Sequence, residues 1–497
     1  MNKKSNKKNI FSFLGIDYAS SAENEQRWST TRVKLFDNAP VNKHRVISPQ
    51  ITQDFELLSG MSMNTPDVIQ QEDCLNLNVF TPNKQGKLPV MVWIHGGGFQ
   101  IGSGSLPLYD GCKLAQATDT VVVTINYRLG ALGFLRLCDI TKGAITSTGN
   151  EGLGDQITAL KWIQQNIHHF GGDKNNITLF GESAGAMSIG CLLASPKAKN
   201  LFHKAILQSG AAHTYSSIEK ANKVAKAFIE SANALGYSVE DLNVMSTNTL
   251  MDIQKHFLGR PEVYQQFGML PFTPVIEDAL LPIAPHEAIK QGCAKETPLL
   301  VGTNTDEWTL FAAMLRQNIQ SDDALNAATK TLITNNQLTA YLPLIDAELI
   351  HRQLDVSPQN RLNELLTDYW FGEPCHRLLT NHSISGGTGY RYKLGRRSVI
   401  EKLKCTHVAD IGFVFGHPEA HFHGKSPRVN ELVEQIQKAW GTFAHTGKPA
   451  APEYDWPAYG ESNQYTYFNH DNTYIDEHLK DNISFWSGIT DAQLAAF

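Results

Sequence analysis

Residues 181–185, Gly181-Glu182-Ser183-Ala184-Gly185, form a G-x-S-x-G pattern. At a strand-to-helix junction this pattern makes a sharp turn that lifts the serine hydroxyl clear of the sheet edge. A serine hydroxyl is a poor nucleophile at neutral pH. It needs a base to take its proton and an acid to orient that base. Two carboxylates, Asp306 and Glu307, end the apolar run 298–304. Adjacent side chains diverge, so only one of them can orient a base. The histidines that follow are His351, His376, His382, His407, His417, His421, His423, His445, His470 and His478. His407 stands out within Cys-Thr-His-Val-Ala-Asp, where Asp410 follows three residues later and can brace the loop. His95-Gly96-Gly97-Gly98-Phe99 supplies a further part. Three glycines directly after a strand can turn their N–H groups toward a developing oxyanion. Taken together, these residue types point to acyl transfer through a serine.

The elements around them have the required character. Residues 176–180 (NITLF) read as a buried strand, and residues 184–194 (AGAMSIGCLLA) as a helix of small and apolar residues. The free N–H groups of that helix would face the serine. Residues 88–94 and 120–127 are continuous apolar strands, as expected for a parallel sheet covered on both faces. Residues 75–80 and 204–210 read as further strands, and 388–394 and 411–415 (IGFVF) as later ones. Apolar positions 157, 160, 163, 167 and 170 are spaced as one buried helical stripe, which Gly171 stops. His168 and His169 then read as surface residues of that helix. A helix is expected over 429–446. Residues 215–260 and 310–370 carry helical patterning and read as insertions over the C-terminal edge of the sheet. No linker rich in proline or serine divides the chain. It is therefore expected to be a basic tail (residues 1–9) followed by a single α/β catalytic unit (residues 10–497).

Composition narrows the class. The chain has 497 residues, 42% hydrophobic and 19% charged, with a formal net charge of −6. Such a balance gives no basic surface for nucleic acid or anionic lipid. The seven cysteines are dispersed and contain no C-x-x-C, so neither a disulfide framework nor a zinc site is expected. The apolar run after the N-terminal lysines is too short for a signal sequence, and no stretch reaches the length of a membrane span. These features predict a cytoplasmic enzyme.

Over nearly its whole length the sequence resembles the type-B carboxylesterases, the cholinesterase/carboxylesterase branch of the α/β-hydrolase fold. The matching motifs include EDCLNLNV (72–79), WIHGGGFQIGSG (93–104), INYRLGALGFL (125–135), FGGDKNNITLFGESAGAMS (170–188), GTNTDEW (302–308) and AWGTFAHTGKPA (439–450). The resemblance implies Ser183 as nucleophile, Glu307 rather than Asp306 as acid, and His407 as base. It implies an oxyanion hole made by the N–H groups of Gly97, Gly98 and Ala184. Glu182, Ser209 and Asp410 match residues that surround the histidine. The implied reaction is hydrolysis of a small-molecule ester, with no metal or cofactor. The implied alternatives are a non-catalytic binding relative, or a hydrolase preferring amide, carbamate or long-chain acyl bonds. The chain departs from the family at three points. Trp308 replaces the usual glycine after the acid, and Asn76 replaces a tyrosine. Cys74 is the first cysteine, so the bridge that secreted relatives make from that motif cannot form. Residues 60–70 lack the aromatic that a choline site of the cholinesterase kind would use.

Overall fold

The computed structural model describes residues 9–23, 26–36, 46–51, 68–277, 279–451, 455–460, 464–476 and 485–495. Most of the basic tail and residues 60–67 lie outside the described residues. Twelve strands are described: β1 (Phe11–Asp17), β2 (Val46–Ile47), β3 (Ile69–Gln70), β4 (Asn76–Thr81), β5 (Leu88–Ile94), β6 (Val121–Ile125), β7 (Gly172–Glu182), β8 (Lys204–Gln208), β9 (Leu299–Asn304), β10 (Gly389–Leu394), β11 (Tyr465–Phe468) and β12 (Thr473–Asp476). Ten of them form one sheet in the order β1-β4-β6-β5-β7-β8-β9-β10-β11-β12. From β6 to β11 every neighbouring pair is parallel. The pairs β1/β4, β4/β6 and β11/β12 are antiparallel.

The apolar strands serve two cores at once. Side chains alternate along a strand, so Val90, Val92 and Ile94 face one core while Met91 and Trp93 face the other. Leu179 and Phe180 divide in the same way, as do Leu207 and Ile206. Helices Glu151–Asn166 and Ala184–Ala194 cover the first face. Helix Pro427–Thr446 covers the second through Ile436, Trp440 and Phe443. Uniformly apolar strands are what burial on both faces demands.

Helices Ile218–Ala234 and Thr247–Leu258 occupy the first segment read as helical, and helix Pro261–Phe267 continues past its end. Helices Trp308–Met314, Asp322–Thr329, Asn335–His351 and Pro358–Thr367 occupy the second. A π-helical turn, Asp368–Gly372, joins the last of these to helix Glu373–Ile384.

One expected strand is a helix: Ile411–Phe415 folds as a single helical turn. A short apolar run carries no periodicity that separates the two states. Its ends decide the matter. The Asp410 carbonyl accepts from the N–H groups of Phe413 and Val414, both at 3.1 Å. Gly416, at φ 75°, closes the turn in the left-handed conformation. Phe415 then lands on Trp93, with ring centres 5.0 Å apart.

Candidate active site

Ser183 sits between β7 and helix Ala184–Ala194, at φ 53° and ψ −126°. Non-glycine residues rarely adopt this backbone, and such strain gathers where function needs it. The flanking glycines are required by close approach. A Cβ on Gly185 would lie 2.0 Å from the Ile94 carbonyl oxygen, and one on Gly181 would lie 2.7 Å from it. The Ser183 N–H donates to the Gln208 carbonyl at 2.9 Å, tying the turn to β8.

The glycine loop leaves β5, the strand next to β7. A Cβ on Gly96 would lie 3.1 Å from Ser183 Cβ, so the loop runs directly beside the serine. Gly97 and Gly98 hold φ 109° and 61°. Their N–H groups have no acceptor among the described residues. Ala184 opens its helix, where an N–H has no intrahelical acceptor. Three N–H groups without a described acceptor therefore belong to the loop beside the serine and to the residue that follows it. His95 lies under the loop. Its Nδ1 is 2.8 Å from the Gly96 carbonyl oxygen, and its ring stacks on Tyr127 at 4.4 Å. Burial pushes this imidazole down to about 4, so it is neutral.

Glu307 follows β9 and His407 lies in the loop after β10. His407 Nδ1 is 2.6 Å from Glu307 Oε2. Both groups are buried, at 3% and 0% exposure. The other oxygen, Glu307 Oε1, accepts from Ser209 Oγ at 2.5 Å and from the Asn304 N–H at 2.6 Å. With both oxygens occupied, the carboxylate cannot rotate freely. Asp306 turns the other way, into an ion pair with Arg352. Burial would raise the Asp306 carboxyl, but Arg352 outweighs it and holds the group below the usual range. The geometry therefore separates the two adjacent acids by their partners.

His407 Nε2 has no hydrogen-bond partner among the described residues. It lies 3.1 Å from Glu182 Oε1, poorly aligned for a hydrogen bond, and Glu182 directly precedes Ser183. No hydrogen bond joins His407 to the Ser183 hydroxyl in this arrangement. Burial opposes charge on the imidazole, yet Glu182, Glu307 and Asp410 outweigh it and push His407 up to about 9. Burial also raises Glu182, with His407 pulling against it. Asp410 anchors the loop from behind: its Oδ2 accepts from Gln208 Nε2 at 2.8 Å and from the Tyr392 hydroxyl at 2.9 Å. Gln208 Oε1 in turn accepts from Trp440 Nε1 at 3.1 Å.

Ser183, Glu182, Ser209, Glu307, His407, Asp410 and the glycine loop thus meet at the C-terminal ends of five adjacent strands, β5, β7, β8, β9 and β10. Brought to the same place, and not anticipated from sequence, are Phe311 and Phe371. Their rings flank His407 at 5.1 and 4.8 Å and stack on each other. Phe311 lies four residues after Glu307, one helical turn, and that spacing was the available signal. Phe371 sits in the π-helical turn, which carries no sequence signature. The other described histidines have other roles. His376 pairs with Tyr459, His417 and His445 contact backbone carbonyls, and His423 contacts the Ala409 carbonyl.

A serine at a strained turn, beside a glycine loop with free N–H groups and a buried imidazole–carboxylate pair, is equipped for nucleophilic acyl transfer. Comparison with known proteins points the same way. The family model for the carboxylesterase family matches residues 1–486. The para-nitrobenzyl esterase of Bacillus subtilis (strain 168) is 38% identical over 407 residues, 80% of this chain and 79% of the relative. The liver carboxylesterase of Sus scrofa is 34% identical over 450 residues, 85% and 78% of the two chains. A solved PNB esterase structure superposes with a TM-score of 0.79 at 32% identity, covering 97% of this chain and 96% of the other. The chain belongs to the carboxylesterase family and is a carboxylic ester hydrolase with the α/β-hydrolase fold.

Proposed function

We propose that Ser183, His407 and Glu307 act as nucleophile, base and orienting acid, and that Gly97, Gly98 and Ala184 form the oxyanion hole. The observation that carries this reading is the 2.6 Å contact between His407 Nδ1 and Glu307 Oε2, beside a serine on a strained turn. In the neutral imidazole, Glu307 holds the proton on Nδ1 and leaves Nε2 with a lone pair. For the reaction Nε2 turns from Glu182 to Ser183, the next residue in the chain. Nε2 takes the hydroxyl proton as Oγ attacks the ester carbonyl. The tetrahedral oxyanion is held by the three N–H groups, each worth about 3 kcal/mol to the transition state. The imidazolium, stabilised by Glu307, then protonates the leaving alkoxide. Water repeats the sequence on the acyl-enzyme and frees the acid. Every proton moves between protein side chains, substrate and water, so the reaction calls for no metal ion or cofactor.

The aromatic wall of Phe311 and Phe371, with Leu270 against Gly98, favours uncharged esters of small to medium acids. The Bacillus relative is named for esters of an uncharged aromatic alcohol, para-nitrobenzyl. We further propose one catalytic unit over residues 10–497, supported by a single sheet whose strands run from Phe11 to Asp476. A cytoplasmic location is supported by seven cysteines that are all free thiols. Among the described residues no helix is long and apolar enough to cross a membrane.

The experiment is Ser183→Ala with p-nitrophenyl butyrate as substrate. Turnover is expected to fall by roughly three orders of magnitude or more, with the melting temperature retained. Unchanged turnover in a folded variant overturns the assignment.

A further inference from the structure

A second cluster of titratable side chains lies where the short C-terminal helix Asp491–Leu494 meets helix Pro285–Lys290. Asp491 divides its two oxygens between different neighbours. Oδ1 accepts from Arg377 Nη1 at 2.8 Å and lies 3.1 Å from His213 Nε2. Oδ2 has no hydrogen-bond partner among the described residues and faces His286 Nε2 at 3.8 Å. Glu287 Oε1 faces the same nitrogen at 3.6 Å. All three atoms lie within 4.8 Å of one another.

These separations are too long for hydrogen bonds. They are close to the spacing of donors sharing one ion. Two ligands each about 2.0–2.2 Å from a zinc-type cation sit roughly 3–3.5 Å apart. The two His286 separations exceed that spacing by a few tenths of an ångström, and the exposed carboxylates would have to close on each other by about an ångström more. His286 is only 4% exposed, and its ring is fixed by a parallel stack on His213, with centres 4.8 Å apart and planes 7° apart. Tyr215 stacks on it as well. The stack, and not a hydrogen bond, orients the ring: His286 Nδ1 has no hydrogen-bond partner among the described residues. The Glu287 and Asp491 side chains are 44% and 29% exposed, so the outer side is open to water.

We propose that His286, Glu287 and Asp491 form a structural site for a divalent cation of the zinc type, completed by water, that clips the C-terminal segment to helix Pro285–Lys290. The donor set of one imidazole and two carboxylates suits Zn²⁺ or Mn²⁺, and it disfavours Mg²⁺, which prefers oxygen ligands. Arg377 does not compete for the ion. It uses Oδ1, and its other nitrogen binds the carbonyls of Trp486 and Ile489 at 2.7 and 2.6 Å, which orders the segment that presents Asp491.

The test is titration of the full chain with Zn²⁺ by calorimetry after exhaustive chelation, with Mg²⁺ as control. A Co²⁺ visible spectrum and the thermal melt are recorded alongside. One equivalent of Zn²⁺ is expected to bind and raise the melting temperature. Co²⁺ should give a spectrum without a sulfur charge-transfer band, which separates this site from the thiols. His286→Gln and Glu287→Gln should each weaken Zn²⁺ binding at least tenfold. Glu287→Gln alters a half-exposed side chain and keeps the test decisive should His286→Gln fail to fold. Absence of stoichiometric Zn²⁺ binding, a cysteine-type Co²⁺ spectrum, or binding that survives Glu287→Gln overturns the proposal.

Discussion

Glu182 is the residue that sets the resting state of the site. It is 1% exposed, directly precedes Ser183, and places an oxygen 3.1 Å from His407 Nε2, the atom proposed to receive the serine proton. A second carboxylate beside the imidazole favours the imidazolium, which cannot act as a base. The acid limb of kcat/KM should therefore report a raised apparent pKa belonging to the coupled pair. Glu182→Gln removes that charge and keeps the shape. The limb is expected to move at least one unit toward lower pH, read from kcat/KM measured across pH with a neutral ester. A limb that stays in place means that Glu182 does not touch the imidazole in the free enzyme. Ser209 acts on the other side of the pair. Ser209→Ala leaves Glu307 Oε1 with only the Asn304 N–H, and a buried carboxylate that loses one donor is expected to lower stability by about 1–3 kcal/mol. A thermal melt measures the loss.

At the scale of elements, helix Trp308–Met314 and the π-helical turn Asp368–Gly372 hold the imidazole in place. Trp308 N–H donates to Thr367 Oγ1 at 3.1 Å, and its indole donates to Gln317 Oε1 at 2.9 Å. The residue found where relatives carry glycine therefore anchors the helix that presents Phe311. Phe371→Ala should cost about 3–5 kcal/mol as a fully buried aromatic, and it should lower kcat because His407 loses one wall. Phe371→Leu should recover most of the stability. Melts and steady-state kinetics on the two variants separate packing from positioning. The sequence made the strands legible because burial on both faces writes them as apolar runs, and Gly181 and Gly185 marked the turn. Helix Ile411–Phe415 was misread because its identity rests on a cap at Gly416 and on packing against Trp93, which local patterning does not carry. The choice between Asp306 and Glu307 could not be made from neighbouring residues. It depends on Arg352, 46 positions away at the end of another helix. The same distance effect hid the cluster of His286, Glu287 and Asp491.

At the scale of the whole molecule, the strand order gathers residues from the ends of five strands into one buried site. Its charges must then be carried by the fold. His407 is raised from 6.5 in the unfolded chain to about 9 in the folded one. A group whose folded pKa is raised stabilises the fold in its protonated form. That contribution is complete below pH 6.5 and is lost as pH rises through about 9. One pKa unit corresponds to about 1.4 kcal/mol, so the raised imidazole represents a few kcal/mol at most. The melting temperature is therefore expected to fall between pH 6.5 and 9, in the same window in which activity rises. His407→Gln removes the imidazole from this balance and should flatten the fall. Melts of wild type and variant at half-unit pH intervals check it, and parallel curves would show that the alkaline loss arises elsewhere. The site is then most active where its own charges hold the fold least firmly. Activity and stability oppose each other across pH because the buried carboxylates that keep the imidazole oriented also keep it protonated.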